Sequence, residues 1–256
     1  METLRGLKLF RQDPEWLMKL LVMSILLMIP TVGQIVVIGW GALFLRGIVR
    51  GRPDGWSPPL RFDFDYLVKL ADPGFKGWLV QIAWSLPIVF IAFTLFGCVW
   101  GIMVVGIAGA ASAAQHSGGG AGIAGLLPCL FPILWLIMMP IILAAQVPSM
   151  FAAIRAELTN ELKDGFQFGE VMAMTKLMFR EAFVGLLIIT AVSIPLVLLG
   201  ELACFVGIFV AMYALYYVRV YFQAQLYQLY LQKGGAPLNV ASDEIPVAMP
   251  VAAPTM

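Results

Sequence analysis

The chain has 256 residues, of which 61% are hydrophobic and only 12% are charged. Soluble domains carry about 25% charged residues, so this composition excludes an ordinary water-soluble fold. The formal net charge of +1 is too small to indicate binding to nucleic acid or to an acidic partner. The sequence therefore predicts an all-α integral membrane protein with the lipid bilayer as a partner.

The first pair of apolar segments lies close to the N-terminus. The residues up to Arg11 are basic but lack a small-residue cleavage site, so no removable signal peptide is predicted. The first segment covers 15–28 and ends at a turn-forming run, 30–33, after which 34–49 supplies the second. Both are shorter than the roughly 20 residues of a typical span. Lys19 would therefore have to extend its amine toward the lipid headgroups.

Four longer apolar segments follow and form two further pairs. They cover residues 78–111, 123–154, 177–199 and 202–230. A glycine-rich turn at 117–120 separates the first pair, and a turn at 198–201 separates the second. The six segments predict a polytopic bundle of about six transmembrane helices in three hairpins. The transmembrane domain covers residues 1–233, and its hairpin units cover approximately 1–52, 60–158 and 164–233.

The positive charges lie on one side of this layout. All 16 Lys and Arg residues, Arg46 and Arg219 among them, are assigned to that side, and the three opposite turns contain none. Cytoplasmic loops of membrane proteins carry an excess of Lys and Arg, so this side is expected to be cytoplasmic. Both termini then lie in the cytoplasm, and the membrane is expected to be a prokaryotic cytoplasmic (inner) membrane.

Two amphipathic segments precede the third and fifth predicted spans. Residues 62–68 and 166–172 both alternate aromatic and polar side chains, and each leads into a span that contains a proline, Pro87 or Pro195. They predict interfacial helices at the membrane surface. With a fainter N-terminal copy, they indicate a threefold parallel repeat of interfacial helix plus hairpin. The alternative is coincidence between short amphipathic pieces.

The C-terminal tail, residues 234–256, differs in composition from the rest. It is rich in Ala, Pro and Val, and its only charged residues are Asp243 and Glu244. Such a segment cannot bury a core of its own, so it is expected to be extended or disordered unless something binds it. We expect the tail to lie in the cytoplasm and to dock on other membrane-protein subunits.

The N-terminal region carries a motif of three parts. A Trp and a Lys enter the first span, an Ile-Pro-x-x-Gly turn follows, and a Gly precedes an aromatic residue and then basic residues. These parts are Trp16 and Lys19, residues 29–33, Gly39 with Trp40, and Arg46 with Arg50. The pattern resembles the opening of an uncharacterised family of multi-pass membrane proteins, domain of unknown function four thousand and thirteen. The resemblance covers about the first fifty residues. It departs after Pro53, and it implies topology without an activity.

Residues that could carry catalysis are scarce. The single histidine, His116, lies in a Gly/Ser/Ala turn, so neither a multi-histidine metal site nor an HExxH motif can be built. The three cysteines, Cys98, Cys129 and Cys204, lack ligand-like spacing and are expected to be small packing residues. The sequence therefore predicts no catalytic residue, no metal site and no cofactor, and it assigns no cofactor-binding residue.

Uncharged polar residues within the predicted spans are expected to form hydrogen bonds between helices, the alternative being a polar pathway. They are Gln34, Gln81, Ser85, Thr94, Gln146, Thr190 and Ser193. Most Trp and Tyr residues are expected to face lipid or to lie in an interfacial belt. They are Trp40, Trp78, Trp84, Trp100, Trp135, Tyr213, Tyr216, Tyr217 and Tyr221.

Three classes of function remain for such a chain. The expected one is a non-catalytic integral membrane subunit or scaffold of a larger membrane complex, because catalytic groups are missing and the tail can dock. The alternative is a small-solute transporter or channel, which a polar cavity lined by Gln81 and Gln146 would favour. A membrane-embedded enzyme comes last, since no active site can be assembled from these residues.

Overall fold

The computed structural model describes residues 5–10, 12–53, 56–60, 63–117, 121–202 and 206–242. Within these ranges the regular structure is entirely helical, in eight elements. They are α1 (Arg5–Phe10), α2 (Trp16–Leu27), α3 (Val32–Val49), α4 (Phe64–Ser117), α5 (Ala121–Thr159), α6 (Leu162–Gly165), α7 (Phe168–Leu202) and α8 (Val206–Gln232). The predicted all-α class is therefore confirmed.

Five of these helices are long and apolar enough to cross a membrane. The spans are Val32–Val49, Phe64–Cys98, Met138–Thr159, Phe168–Leu202 and Val206–Gln232. The sixth predicted crossing corresponds to α2, whose 12 residues are apolar. At 1.5 Å per residue α2 extends about 18 Å, less than the hydrocarbon thickness of about 30 Å. The chain is an integral membrane protein built as a helical bundle.

The helices pack as consecutive pairs, which agrees with the predicted hairpins. Helix α2 packs on α3, α4 on α5, and α7 on α8, and α3 also contacts α4, α5 and α8. Gly33 permits the tight turn between α2 and α3, because a Cβ atom there would lie 1.7 Å from the carbonyl oxygen of Leu26. The two amphipathic segments are continuous with spans, since α4 begins at Phe64 and α7 at Phe168.

Some predictions fall on residues outside the described ranges. They concern Phe62, the glycine turn at 118–120, Cys204 and the tail beyond residue 242. The side chains of His116, Cys129 and Trp135 also lie outside the description. The threefold repeat stays a prediction.

Two glycines allow α3 and α4 to cross in close contact. A Cβ atom on Gly39 would lie 1.9 Å from the carbonyl oxygen of Leu70, and one on Gly74 would lie 1.9 Å from that of Ile35. Small residues at helix crossings allow such backbone contact, and in lipid this packing is a main source of helix association. The crossing fixes the distance between the faces of α3 and α4 farther along the bundle.

An aromatic cluster fills the region where α1, α3 and α8 meet. The ring of Tyr217 lies 4.8 Å from those of Phe10 and Phe44, and Trp40 and Tyr213 pack beside it. The indole nitrogen of Trp40 donates a hydrogen bond of 3.2 Å to the Pro58 carbonyl oxygen. Trp40, Tyr213 and Tyr217 are at most 1% exposed. The prediction that these three side chains face lipid is therefore wrong.

A buried ion pair joins the N-terminal segment to the loop between α3 and α4. The amine of Lys19 lies 2.8 Å from Asp13 Oδ2 and 2.6 Å from Ser57 Oγ, and the Ser57 hydroxyl also donates to Asp13. Lys19 is only 3% exposed, so the prediction that it extends to the headgroups is wrong. Burial raises the pKa of Asp13, but hydrogen bonds from Lys19, Ser57 and the Glu15 amide outweigh burial and hold it below 3.8.

The described part of the tail, residues 234–242, lies against the chain itself. The Ala241 amide donates a hydrogen bond of 2.8 Å to the Leu158 carbonyl oxygen, and Arg50 donates to the Ala241 carbonyl. The Leu238 amide donates to the Tyr227 hydroxyl at 2.8 Å. These contacts bring the ends of α3, α5 and α8 together, and we call this end of the molecule the basic end. Docking of the tail on other subunits stays a prediction.

Candidate functional site

A cavity of about 620 Å³ lies between α3, α4, α5 and α8, with contributions from α2 and α7. Its volume falls within the roughly 300–1,000 Å³ of small-molecule sites in proteins. Side chains that can form hydrogen bonds line much of it, and apolar side chains supply the rest. The polar ones are Gln34, Gln81, Ser85, Gln146, Ser149, Tyr216 and Arg219.

Helical periodicity explains why these residues face one space. On α4, Gln81 and Ser85 are four residues apart and share a face with Trp78. On α5, Gln146 and Ser149 are three residues apart, and on α8 Tyr216 and Arg219 have the same spacing. Each helix thus turns one polar stripe inward, and the bundle brings the stripes together.

A charged cluster adjoins the cavity on the side of the basic end. Glu157 on α5 is only 1% exposed, and Gln81 donates a hydrogen bond of 3.5 Å to its Oε1. Arg46 on α3 donates through Nε to the Glu157 backbone carbonyl at 2.6 Å. The Glu157 carboxylate also interacts electrostatically with the guanidinium groups of Arg46 and Arg219. Gln81 therefore connects the cavity wall to a buried carboxylate.

Arg219 is the charged residue that lines the cavity. It occupies the midpoint of α8, so about 20 Å of helix separates it from either end. Arg219 therefore lies in the middle of an apolar helix, and its expected place on the cytoplasmic side stays a prediction. A cation within a membrane-spanning helix is costly unless it is paired or hydrated, and it is a common mark of a functional site. In the sequence, the position of Arg219 within the apolar run from 206 to 232 is the signal that could have identified it as a site residue.

Four of the seven uncharged polar residues line the cavity, which fits the polar-pathway alternative: Gln34, Gln81, Ser85 and Gln146. Gln81 also bonds across helices to Glu157, as predicted. Ser85, Thr94 and Ser193 donate hydrogen bonds of 2.8–2.9 Å to carbonyl oxygens of their own helices.

Sequence reasoning missed Glu157 and Arg46 as site residues. Both lie close to helix ends, where a charged side chain usually reaches water. Glu157 belongs to no motif, and Arg46 was noted only as a basic residue of the N-terminal motif. They are buried because the two helix ends pack together beneath the tail. Across the described ranges, no group of three or more His, Cys, Asp and Glu residues is placed to hold a metal ion.

Comparison with known proteins gives one match. The family model described as "Protein of unknown function (DUF4013)" matches residues 22–209, which is more than half of the chain. The chain belongs to this family. Within the DUF4013 match lie the turn at 29–33, Gly39 and Trp40, whereas Trp16 and Lys19 precede it. The match also extends far beyond the N-terminal region in which the resemblance was seen. No curated protein and no solved structure matches the chain.

Every helix that lines the cavity falls wholly or partly within the matched region. The match includes Gln34, Gln81 and Gln146 but ends before Tyr216 and Arg219. The α3–α4 crossing at Gly39 and Gly74 is matched as well. The DUF4013 region therefore contains most of the cavity wall, and residues 212–219 of α8 complete it.

Proposed function

We propose that this DUF4013 protein is a small-solute transporter, and that its solute binds in the cavity between α3, α4, α5 and α8. The cavity of about 620 Å³ lined by Gln81 and Gln146 carries the proposal. A transporter needs an internal cavity to bind its solute, whereas a scaffold does not. Polar side chains inside a membrane bundle need water, solute or one another as partners. A hydrated cavity at this depth supplies those partners and leaves room for a small molecule.

The proposal places the protein in a prokaryotic cytoplasmic membrane with both termini inside. The distribution of Lys and Arg along the sequence supports this orientation. The basic end would then face the cytoplasm, and Gln34, in the first turn of α3, would lie toward the outer side. Catalysis is not part of the proposal.

A second candidate function is a subunit or scaffold of a membrane complex. It is favoured by α4, whose 54 residues extend about 81 Å, far more than the bilayer core of about 30 Å. Phe90 and Phe93 on this helix are both 74% exposed. Another protein could cover the part of α4 that lipid does not.

Uptake into liposomes tests the transport proposal. Purified protein is reconstituted, the liposomes are incubated with a mixture of small anionic, cationic and neutral metabolites, and trapped solutes are measured by mass spectrometry. The test variant is Ser85→Phe, which adds a ring to the cavity wall. The matched control is Ser193→Phe, because both hydroxyls are half-buried and donate to a carbonyl three residues earlier, at 2.9 and 2.8 Å.

We expect at least one solute to accumulate with the wild type and with Ser193→Phe but not with Ser85→Phe. Elution of each variant as a single species in mild detergent verifies folding. Uptake equal to that of protein-free liposomes for every solute would contradict transport. An equal loss of uptake in both variants would show that uptake does not depend on the cavity. Co-purification of other membrane proteins in fixed proportion, without uptake, would favour the second candidate.

A further inference from the structure

Arg219 belongs to a charged cluster beside the cavity. Glu157 interacts electrostatically with both Arg219 and Arg46, and Arg46 also interacts with Asp72. Arg46 and Glu157 are 3% and 1% exposed, so water screens this cluster poorly. Arg219 thus shares the Glu157 carboxylate with Arg46.

The cluster presents a positive charge to the cavity. Arg219 lines the cavity, whereas Arg46 and Glu157 lie behind its wall. Glu157 Oε1 accepts a hydrogen bond from the Gln81 amide, and Arg46 Nε donates one to the Glu157 backbone carbonyl oxygen. A guanidinium presents several N–H donors in a planar fork that matches a carboxylate or phosphate. The cavity therefore offers a cationic donor to any molecule that enters.

The remaining wall is largely apolar. Trp78 and Ile82 on α4 and Met212 and Leu215 on α8 are lining residues. Trp78 and Ile82 are four residues apart, and Met212 precedes Leu215 by three, so each pair forms a continuous apolar patch. A molecule bound at Arg219 would place its uncharged part against these patches.

We propose that the cavity selects small amphipathic anions, in which one carboxylate or phosphate is joined to an apolar group. The anion pairs with the Arg219 guanidinium, while the apolar group packs on the α4 and α8 patches. The inference rests on the proposed function, because it names the solute class for the same cavity. The anion comes either from water, as a soluble carboxylate, or from the bilayer, as a fatty acid or lipid.

Three probes with one apolar chain and different head groups test the selectivity. Hexanoate, 1-hexanol and hexylammonium are titrated calorimetrically into the protein in phosphatidylcholine nanodiscs, and empty nanodiscs provide the correction for partitioning. The variants are Arg219→Gln, which removes the charge, and Arg219→Lys, which keeps it. Arg180→Gln is the control, because Arg180 is an exposed arginine on α7 that does not line the cavity. Mass spectrometry of the detergent-purified protein identifies bound lipid or fatty acid.

We expect hexanoate to bind roughly tenfold or more tightly than the other two probes. Arg219→Gln should weaken hexanoate binding by a similar factor, Arg219→Lys should restore part of it, and Arg180→Gln should leave it unchanged. An acidic lipid bound to the wild type and lost in Arg219→Gln identifies the bilayer as the source. Hexanoate binding without such a lipid identifies the aqueous source.

Equal binding of the three probes, tighter binding of hexylammonium, or unchanged binding in Arg219→Gln would overturn the inference. The two proposals can fail separately. Uptake that is blocked by Ser85→Phe but limited to cations or neutral solutes would refute anion selectivity and leave transport standing. Hexanoate binding that depends on Arg219, without uptake of any solute, would refute transport and retain the anion site.

Discussion

The close crossing of α3 and α4 makes Gly39→Ala the most informative change to the bundle. An alanine Cβ atom would lie 1.9 Å from the Leu70 carbonyl oxygen, whereas ordinary contacts begin at 3.4 Å. The helices would have to separate by about 1.5 Å, or their backbones would have to bend, because no side chain can move aside. Overpacking of this kind costs about 1–3 kcal/mol. We expect a lower melting temperature in mild detergent than for the wild type.

Gly97→Ala is the matched control for this prediction. Gly97 also lies in a helix, but no heavy atom lies within 4 Å of its hypothetical Cβ. Alanine is favoured over glycine in a helix by roughly 0.5–1 kcal/mol, so the control measures that benefit alone. Gly39→Ala should be less stable than Gly97→Ala. Equal stability of the two variants would refute the close crossing of α3 and α4.

Three further predictions concern the buried ion pair and the tail. Lys19→Met leaves the Asp13 carboxylate buried without its cation, so the free energy of unfolding measured in denaturant should fall by about 3–5 kcal/mol. Lys8→Met is the control, because Lys8 is exposed and its replacement should change that free energy little. Because the pKa of Asp13 lies below 3.8 in the folded chain, its stabilisation is present above pH 3.8 and is lost as the pH falls through the folded pKa. Melting temperatures measured at decreasing pH should show this loss for the wild type, and Asp13→Asn should remove that component. A truncation after Gly234 removes the hydrogen bond from Ala241 to Leu158 and should lower the melting temperature, whereas an unchanged value would show that the tail is not held by the chain.

The membrane class and the helical hairpins could be predicted because long apolar runs have few alternatives in lipid. The segments 78–111 and 177–199 each fall within one long helix, α4 and α7, as expected from length and hydropathy. Hydropathy predicted that these helices exist, but it did not predict the residues at which they begin and end. It did not show that residues 64–70 form the first turns of α4, because an amphipathic turn fits both an interfacial helix and the start of a span.

The aromatic core could not be predicted from composition. Trp40 and Tyr217 would be equally apolar against lipid or against other helices, and both environments lack water. Their burial depends on how α1, α3 and α8 pack, which is tertiary information. Lys19 is a similar case, since its partner Ser57 is 38 residues away along the chain.

The cavity could be anticipated only as an alternative. Gln81 and Gln146 were recognisable as polar residues within apolar helices, but hydropathy does not show which helix faces meet. Arg219 was counted with the other Lys and Arg residues on one side of the predicted layout. The structure places it at the midpoint of α8, beside Glu157, and this position links the cavity to a charged cluster.

Cysteine accessibility along α5 tests most directly whether the cavity holds water. The three native cysteines are first replaced by alanine. In this background, Gln146→Cys places a thiol at the cavity. Ile141→Cys places it on the exposed apolar surface, and Ala153→Cys places it in the closed core. Thiolates form only where water stabilises the charge, so a charged methanethiosulfonate reagent reports hydration. The account predicts rapid modification of Gln146→Cys and none at the other two positions in reconstituted membranes. Gln146→Cys as unreactive as Ile141→Cys would contradict a hydrated cavity and the transport function proposed from it.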